Sequence, residues 1–292
     1  MKTEVNGKKA PISMILRVAG LSSAAWYGKA KKELKGCQRG PKVSFGDEEV
    51  IEGVRGIISS SYFHGEGYKK LRKRLWTMKG IKVGKDRLLK LLRDNGLLAD
   101  ERPIRNGSSR DHDGTTLTDA PDILWACDLK EWRTLEGKLW MITVLDHFHS
   151  GVIHHRTCER ATMEPAMDVV RGSVKKRFGE VRKGICEGME LYLRTDHGAQ
   201  FTGERFKKEI AFLGLRTSKA FVKSPECNGV IERFHRTIKE QIGGRIEHST
   251  KKEARWLIEN FMSRYNNHWI LHKLNLMSPN QYRKHYEEEA GC

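Results

Sequence analysis

Three apolar, strand-like segments follow one another between residues 122 and 157, separated only by short polar gaps that contain Gly137 and Gly151. The segments are DILWACDLKEW, KLWMITVLDHF and GVIHHRT. Gaps this short join antiparallel neighbours, because a parallel pair needs a crossover of a dozen or more residues. This pattern limits the second half of the chain to folds that are built around an antiparallel meander.

The pattern then changes to alternating helix and strand. A helix is predicted at about residues 161–178. It is followed by a strand in MELYLRTD, a helix in GERFKKEIAFLG, a short strand in LRTSKAF and a long helix in GVIERFHRTIKEQIG. Three antiparallel strands followed by this alternation predict a mixed α/β sheet that is covered by helices on both faces.

Positive charge is concentrated in the first third of the chain. The whole sequence has 54 Lys and Arg against 37 Asp and Glu, for a net charge of +17. Residues 1–110 carry 25 basic and 11 acidic side chains, a net of +14, and residues 111–292 carry a net of +3. A basic segment beside a nearly neutral one indicates a nucleic-acid-binding module attached to a module with another role.

The basic segment has helical periodicity. Residues 10–35 show two short helical patterns, with Ser22 as a candidate cap, in the outline of a helix-turn-helix. Residues 47–98 predict three helices. The last of these has leucines on one side and Lys85, Arg87, Lys90 and Arg93 on the other. That basic face suits DNA phosphates or a major groove, and it equally suits a solvated surface.

These patterns divide the chain into five segments. Polar, aperiodic stretches rich in Gly, Pro and charged residues separate the periodic ones. The predicted segments are a helix-turn-helix-like segment with its linker at 1–45, a basic helical DNA-binding module at 46–98, a linker at 99–120, an α/β catalytic core at 121–285 and a tail at 286–292.

Composition excludes several classes of protein. No apolar run approaches the ~20 residues that a membrane span needs, and the N-terminus has no signal-peptide pattern. The six cysteines form no C-x-x-C pair, so neither a zinc site nor a disulfide framework is indicated. We therefore expect a cytoplasmic or nucleoid-associated protein that is not associated with a membrane.

Three carboxylates are candidates for chemistry. Asp128 lies within the first apolar strand, Asp196 ends a later strand, and Glu232 lies in the long helix, with 35 residues between Asp196 and Glu232. Carboxylates are the ligands that hard divalent cations prefer, and two such ions can clamp the attacking and leaving oxygens of a phosphodiester. Taken singly, the three residues are equally compatible with an exposed strand residue, a turn former and a surface ion pair.

Glu232 shares one arc of its helix with Arg236 and Lys239, whereas Ile231, Phe234 and other apolar residues form a second arc. This predicts a helix that packs by one face and presents an acid with two cations on another.

The motifs WACDLKEW, RTDHGAQF and SPECNGVIERFHRTIKEQ together resemble the catalytic core of DDE transposases and retroviral integrases, and the resemblance covers residues 121–285. Within that superfamily the chain is most similar to the second-frame (OrfB-type) proteins of bacterial insertion sequences of the "IS-three" type. The C-terminal signature of that group is matched by Tyr265, Asn266, Leu274, Ser278 and Pro279. The chain departs from it at Trp269, where an arginine is usual, and at His272, which lies one position late.

The resemblance implies an RNase H-like fold and a metal-dependent DNA strand transferase. Asp128, Asp196 and Glu232 would bind two Mg²⁺ or Mn²⁺ ions. Arg236, Lys239 and Asn228 would contact DNA. Asp146 would be structural, and His197 would either contact DNA or the metal site or simply form a turn.

The resemblance also implies partners. These are double-stranded DNA at the element's ends and at the target, further copies of the chain in a homo-oligomer, and an upstream-frame (OrfA-type) protein as partner or fusion. Two alternatives stay open. One is a nuclease of the same fold that cuts without joining, and the other is a non-catalytic DNA-binding protein descended from a transposase.

Overall fold

Five strands form one mixed sheet in the computed structural model, which describes residues 4–5, 8–27, 44–100, 118–196, 198–219 and 229–291. The chain divides into two compact units, Met1–Gly46 and Asp47–Cys292. The sheet belongs to the second unit. Its strands are β3 (Leu124–Thr134), β4 (Gly137–Asp146), β5 (Val152–Cys158), β6 (Tyr192–Thr195) and β7 (Arg216–Lys219).

The strand order is β5-β4-β3-β6-β7. The first three strands form the predicted antiparallel meander, and β6 and β7 add to it in parallel. Strand β3 therefore lies at the centre of the sheet, with an antiparallel neighbour on one side and a parallel neighbour on the other. This is the RNase H-like arrangement, and it confirms the fold that the sequence predicted.

Helices cover both faces of the sheet. One apolar layer contains Trp125 and Cys127 of β3, and the opposite layer contains Ala126 and Trp132. The alternation follows from the two-residue period of a strand, and it shows that the sheet is buried on both sides. The covering helices are α6 (Met163–Phe178), the short α7 (Ala199–Thr202) and α8 (Glu204–Leu213) on the first face and α9 (Gly229–Glu247) and α10 (Lys251–His268) on the second.

Two C-terminal helices were not predicted individually from the sequence, although each begins with a recognisable signal. Thr250 caps α10 and Ser278 caps α11 (Pro279–Glu289), and both caps are reciprocal capping boxes with the residue three positions later. The corresponding sequence pattern is Thr-x-x-Glu at 250–253 and Ser-x-x-Gln at 278–281. A short 3₁₀ helix, His272–Leu274, lies between the two.

Three helices of the second unit precede the sheet. They are α3 (Asp47–Ser60), α4 (Tyr68–Lys79) and α5 (Lys85–Asp94). Their apolar faces pack on one another through buried residues such as Val54, Leu75, Leu88 and Leu92. The three helices that the sequence predicted at 47–98 are therefore present, and the leucine face of α5 is core, as its periodicity indicated.

The first unit contains a two-residue hairpin, β1 (Glu4–Val5) with β2 (Lys8–Lys9), and the helix α1 (Ile12–Val18). A second helix, α2, begins at Ser23, and its described part covers residues 23–27. The Ser22 hydroxyl accepts a hydrogen bond from the backbone N–H of Ala25 at 3.1 Å, which confirms the predicted cap.

Within the described ranges, no helix combines the length and the apolar character that crossing a membrane would require.

Candidate active site

Asp128 and Asp196 lie on neighbouring parallel strands at the centre of the sheet. The register pairs Cys127 of β3 with Thr195, the last residue of β6, so Asp128 and Asp196 each come directly after the last pair of this ladder. Because Cys127 faces the α6–α8 layer, Asp128 faces the opposite layer, where α9 packs. The sequence predicted the two carboxylates as separate features of two strands, and the sheet brings them side by side.

The Asp128 carboxylate has two neighbours. Its Oδ1 accepts a hydrogen bond from the backbone N–H of Leu129 at 2.7 Å, and its Oδ2 lies 3.4 Å from Nδ1 of His235 on α9. The Asp128 side chain is 20% exposed, and the His235 side chain is 11% exposed. Asp128 is thus a half-buried carboxylate that solvent and small ions still reach, and α9 lies directly against it.

Asp196 sits in a tight turn immediately after β6. Its Oδ1 accepts a hydrogen bond from the backbone N–H of Gly198 at 2.9 Å. The negative charge of both aspartates reaches the buried thiol of Cys127, whose pKa is raised well above its usual value by burial first and by Asp128 and Asp196 next. That thiol therefore stays protonated and is no candidate nucleophile.

Helix α9 carries Glu232 past the two aspartates. The helix follows β3 in the same direction, with His235 against Asp128 and Gly243 beside the Trp132 ring. Glu232 precedes His235 by three residues, almost one helical turn, and its side chain is exposed. The helix therefore brings all three predicted carboxylates to one region of the molecule.

Among the described residues, no group of three or more His, Cys, Asp and Glu side chains is close enough to hold one metal ion. Asp128, Asp196 and Glu232 are all within the described part. The three carboxylates lie in the same region, but they are too far apart to coordinate one metal ion together. Their joint role as metal ligands stays a prediction, although carboxylate oxygens are the donors that a hard divalent cation requires.

Positive charge flanks the carboxylates. Lys130 lies two residues beyond Asp128 on the same face of β3. Its ammonium group is repelled by the positive charge of Lys239 on α9. Burial is the first cause that lowers the pKa of Lys130, and Lys239 is the second. Arg236 and Lys239 are both exposed on α9, as the helical wheel predicted. The site therefore combines carboxylates with adjacent cations, which suits a phosphodiester.

The other predicted DNA contacts have different surroundings. Lys85, Lys90 and Arg93 of α5 are exposed, whereas the Arg87 guanidinium donates to the Asp47 carboxylate, with Nε 2.8 Å from Oδ1. Asn228 and His197 lie outside the described residues. All of these roles stay predictions.

His235 is a site residue that sequence reasoning did not identify. The sequence did contain an indication of this, because His235 lies three residues after Glu232 and residues three apart on a helix share a face. A helix that brings Glu232 to the aspartates therefore also brings His235 close to them.

Several known proteins are similar to this chain. Residues 213–279, which include Glu232, match the integrase core domain family. The chain is 27% identical over 209 residues to an uncharacterized 48.2 kDa protein of insertion element IS2A from Escherichia coli, and this match covers 70% of the chain and 47% of the relative. It is also 27% identical over 206 residues to the putative transposase InsD of insertion element IS2E from Escherichia coli strain K12, covering 68% of the chain and 91% of the relative.

The chain is similar to insertion-sequence transposases and, over residues 213–279, to the integrase core domain. It spans about half the length of the IS2A protein and 66% of the InsD transposase that several other IS2 copies share. Among solved structures it is similar to the catalytic core of BIV integrase, with a TM-score of 0.44, 17% identity, and coverage of 59% of this chain and 99% of that one. A second is the HTLV-2 integrase catalytic core in complex with magnesium, with a TM-score of 0.45, 14% identity, and coverage of 56% and 98%.

Asp146, which the sequence interpretation treated as structural, has no exposed surface and is held by the backbone. It is fully buried, and its two carboxylate oxygens accept hydrogen bonds from the backbone N–H groups of Asp122 and Phe148, each at 2.7 Å. Burial raises the pKa of Asp146 to about 6, against the opposing effect of these hydrogen bonds. Asp146 thus fixes the turn that follows β4, three residues beyond Thr143, the residue of β4 that pairs with Asp128.

Proposed function

We propose that the chain is a DNA strand transferase that cuts the ends of an insertion sequence and joins the exposed 3′-OH to another DNA. The observation that carries this proposal is the side-by-side placement of Asp128 and Asp196 at the sheet centre, with the Glu232 helix packed on them through His235. Carboxylates on adjacent central strands, approached by a helix with a third, are suited to phosphodiester chemistry.

Asp128, Asp196 and Glu232 would hold the divalent metal, Mg²⁺ or Mn²⁺, and two ions are proposed. When bound, such ions activate an attacking hydroxyl and neutralise charge on the leaving oxygen. Asp128 and Asp196 each have an oxygen held by a backbone N–H, which fixes the orientation of the carboxylate before any ligand arrives. The donor chemistry and this preorganisation fit a hard cation.

The surrounding cations would hold the DNA. Lys130, Arg236 and Lys239 lie beside the carboxylates, where the phosphates next to the cleaved bond would pass. The helices at 46–98 are proposed as a DNA-binding module, with Lys85, Lys90 and Arg93 exposed toward DNA. The remaining proposed segments are the N-terminal segment at 1–45, the linker at 99–120, the catalytic core at 121–285 and the tail at 286–292.

The proposed reaction also implies which molecules the chain binds. The proposed substrates are duplex DNA at the element's two ends and at the target. Pairing two ends requires more than one active site, so a homo-oligomer on DNA is proposed, with an upstream-frame protein as a further partner or fusion.

The test replaces each carboxylate by its amide. Asp128→Asn, Asp196→Asn and Glu232→Gln should each abolish end cleavage and strand joining with Mg²⁺ while DNA binding stays within about two-fold of the unchanged protein, because a metal ligand is lost and the shape is kept. Both steps are measured on labelled duplexes that carry the element's ends. Asp168→Asn on α6 and Glu247→Gln on α9 are matched controls outside the site. Glu247 is exposed, and Asp168 is partly exposed in an ion pair with Arg156.

Near-normal strand transfer by any of the three variants would show that its residue is not a metal ligand. An unchanged protein that cuts without joining would identify the nuclease alternative. Binding with neither reaction, under conditions in which the ends are correctly paired, would identify the non-catalytic alternative.

A further inference from the structure

A cationic cleft lies between helix α4 and the loop that follows the short 3₁₀ helix. Its volume is about 840 Å³. One wall is α4 with the segment leading into α5, and the other is formed by His272, Asn275 and Leu276. The five cations of the first wall are Lys69, Arg72, Lys73, Lys82 and Lys85. Both walls belong to the same compact unit, so the cleft is a feature of one folded body.

The charge of this cleft is uncompensated. No aspartate or glutamate lines it, and within the described residues none of its five cations is within ion-pair distance of a carboxylate. Neighbouring arginines of the same helices behave differently: Arg74 pairs with Glu66, and Arg87 pairs with Asp47. Five like charges kept together without acids repel one another, and a bound polyanion would relieve that repulsion.

Trp76 places an aromatic face in the middle of this charge. The residue is 52% exposed, which is unusual for the largest apolar side chain. The ammonium groups of Lys73 and Lys82 lie 5.1 and 5.4 Å from the centre of its ring. Proteins that bind single-stranded nucleic acid combine exposed aromatic rings with cations in this way. A base stacks on the ring, and the phosphates contact the cations.

The cleft continues toward the candidate active site. His272 also lines a second cleft of about 390 Å³, together with Lys70, Lys273 and Arg233. Arg233 follows Glu232 on α9, and Val230 in the first turn of α9 lines the same cleft. No aspartate or glutamate lines the second cleft either. A basic path therefore leads from Trp76, past His272, to the turn of α9 that carries Glu232.

We propose that this path binds a single DNA strand, with an unpaired base stacked on Trp76 and its phosphates held by Lys69, Arg72, Lys73 and Lys82. A paired and stacked base cannot lay its face on Trp76, so the ligand is an unpaired nucleotide next to a duplex, as at a frayed or recessed DNA end. The direction of the strand toward α9 rests on the proposed function, because Glu232 marks the site of chemistry only if that function is correct.

The experiment measures equilibrium binding by fluorescence anisotropy, with the full chain in EDTA. Three labelled probes are compared: a short blunt duplex, the same duplex with a single-stranded thymidine extension, and the same duplex with an abasic extension of equal length. Binding of the abasic probe reports phosphates alone, and the difference between the two extended probes reports the base.

Trp76→Ala should weaken binding of the thymidine-extended probe by about ten-fold, because one stacked base is lost, and leave the abasic and blunt probes within about two-fold. Trp76→Phe should retain most of the affinity, because it keeps a ring. Trp256→Ala is the matched control: Trp256 is also exposed, at 60%, and lies on α10 outside both basic clefts. Lys73→Ala with Lys82→Ala should weaken both extended probes, and Lys252→Ala on α10 should weaken neither.

Equal losses on all three probes, or no loss on any of them, would overturn the proposal for Trp76. A thermal unfolding curve for each variant excludes loss of the fold as the cause. Because no divalent ion is present, this result is independent of catalysis. Triad variants that keep strand transfer, together with the expected Trp76 effect, would contradict only the proposed function. Triad variants that lose strand transfer, without any Trp76 effect, would contradict only the strand-binding cleft.

Discussion

Lys130 and Lys239 approach each other beside Asp128, one from strand β3 and the other from helix α9. Burial and this mutual repulsion both lower the pKa of Lys130. Two ammonium groups near one another are unfavourable unless an anion joins them, and a DNA phosphate would be such an anion. Lys130 and Lys239 are therefore placed to bind an anionic ligand between them, which would be present only during the reaction.

Replacing the α9 cations tests this arrangement. Arg236→Ala and Lys239→Ala should each lower the rate of 3′-end cleavage by about ten- to 100-fold, the value of one charge-assisted hydrogen bond, and change non-specific DNA binding much less. Cleavage is measured on matched and scrambled end duplexes, and Mg²⁺ binding is measured in parallel. Lys252→Ala is the control. If metal binding fell together with cleavage, the two residues would support the carboxylates and would not contact DNA.

Trp269, one of the two departures from the C-terminal signature, is a buried packing residue. It stands where the resemblance leads one to expect an arginine, and it is 5% exposed. The Lys70 ammonium lies 3.1 Å from the centre of its ring, and the Phe63 ring meets it edge-on at 4.8 Å. Trp269 is thus a packing residue that joins the helical region at 47–98 to the end of α10, and His272, the second departure, lines both basic clefts.

Helix α4 is fixed to the rest of its unit by a small buried polar cluster. Arg74 pairs with Glu66, with Nε 2.9 Å from Oε2, and it also donates to the backbone carbonyl of His268 at the end of α10 at 3.0 Å. The Glu66 side chain is only 3% exposed, and it accepts a further hydrogen bond from the Ser61 hydroxyl. Since α4 carries three of the five cations of the basic cleft, this cluster fixes those cations relative to the end of α10.

Removing the cation of this cluster should destabilise the whole unit. Arg74→Met leaves the Glu66 carboxylate buried and unpaired, so the free energy of unfolding should fall by about 3–5 kcal/mol in a urea titration. The double variant Glu66→Gln with Arg74→Met should recover part of the loss, because no charge stays buried. Arg55→Met on α3 is the control, since Arg55 is exposed and makes only a 3.4 Å hydrogen bond to Asn95. Equal stability of Arg74→Met and the unchanged protein would mean that the cluster does not fix α4.

A network of partly buried charges ties the segment before β3 to helices α6 and α11. Asp122 pairs with both Arg177 of α6 and Arg283 of α11, at 3.0 and 3.1 Å. His149 lies within this network and is 2% exposed. Its Nδ1 accepts a hydrogen bond from the backbone N–H of Gly151 at 3.0 Å. One network therefore ties the starts and ends of three strands to two helices that are distant in sequence.

This network makes the stability of the protein sensitive to acid. Burial first, and then the charges of Arg177, Arg283 and Lys273, hold the pKa of His149 well below its usual value. The folded protein therefore keeps His149 neutral, whereas the unfolded chain takes up a proton as the pH falls through about 6.5. Stability is present above that pH and is lost below it.

Replacing the His149 imidazole should remove this dependence of stability on acid pH. Between pH 7 and pH 5, the unchanged protein should lose up to about 2 kcal/mol more free energy of unfolding than His149→Asn, whose side-chain oxygen still accepts the Gly151 hydrogen bond. The quantity compared is the change with pH, so that any overall loss of stability in the variant cancels. His248→Asn, at an exposed histidine, should follow the unchanged protein. Parallel pH curves for His149→Asn and the unchanged protein would show that His149 is not the group responsible.

The sequence by itself determined the elements of this protein and the residues that suit its chemistry. Apolar alternation over residues 122–157 specified the meander, because the two-residue period of a strand is a local property. The helical wheel placed Arg236 and Lys239 on an exposed face of α9, and the acidic residues at 128, 196 and 232 followed from local context and family resemblance. Helices α10 and α11 were missed, although their capping boxes were legible in the sequence.

Only the tertiary structure decided which of these residues meet. The pairing of Cys127 with Thr195 sets Asp128 beside Asp196, although 67 residues lie between them, and His235 joins them because of the way α9 packs. The cleft around Trp76 likewise combines α4 with a loop some 200 residues later. Such contacts depend on strand register and helix docking, which arise from packing over the whole unit, so no local pattern of residues contains them.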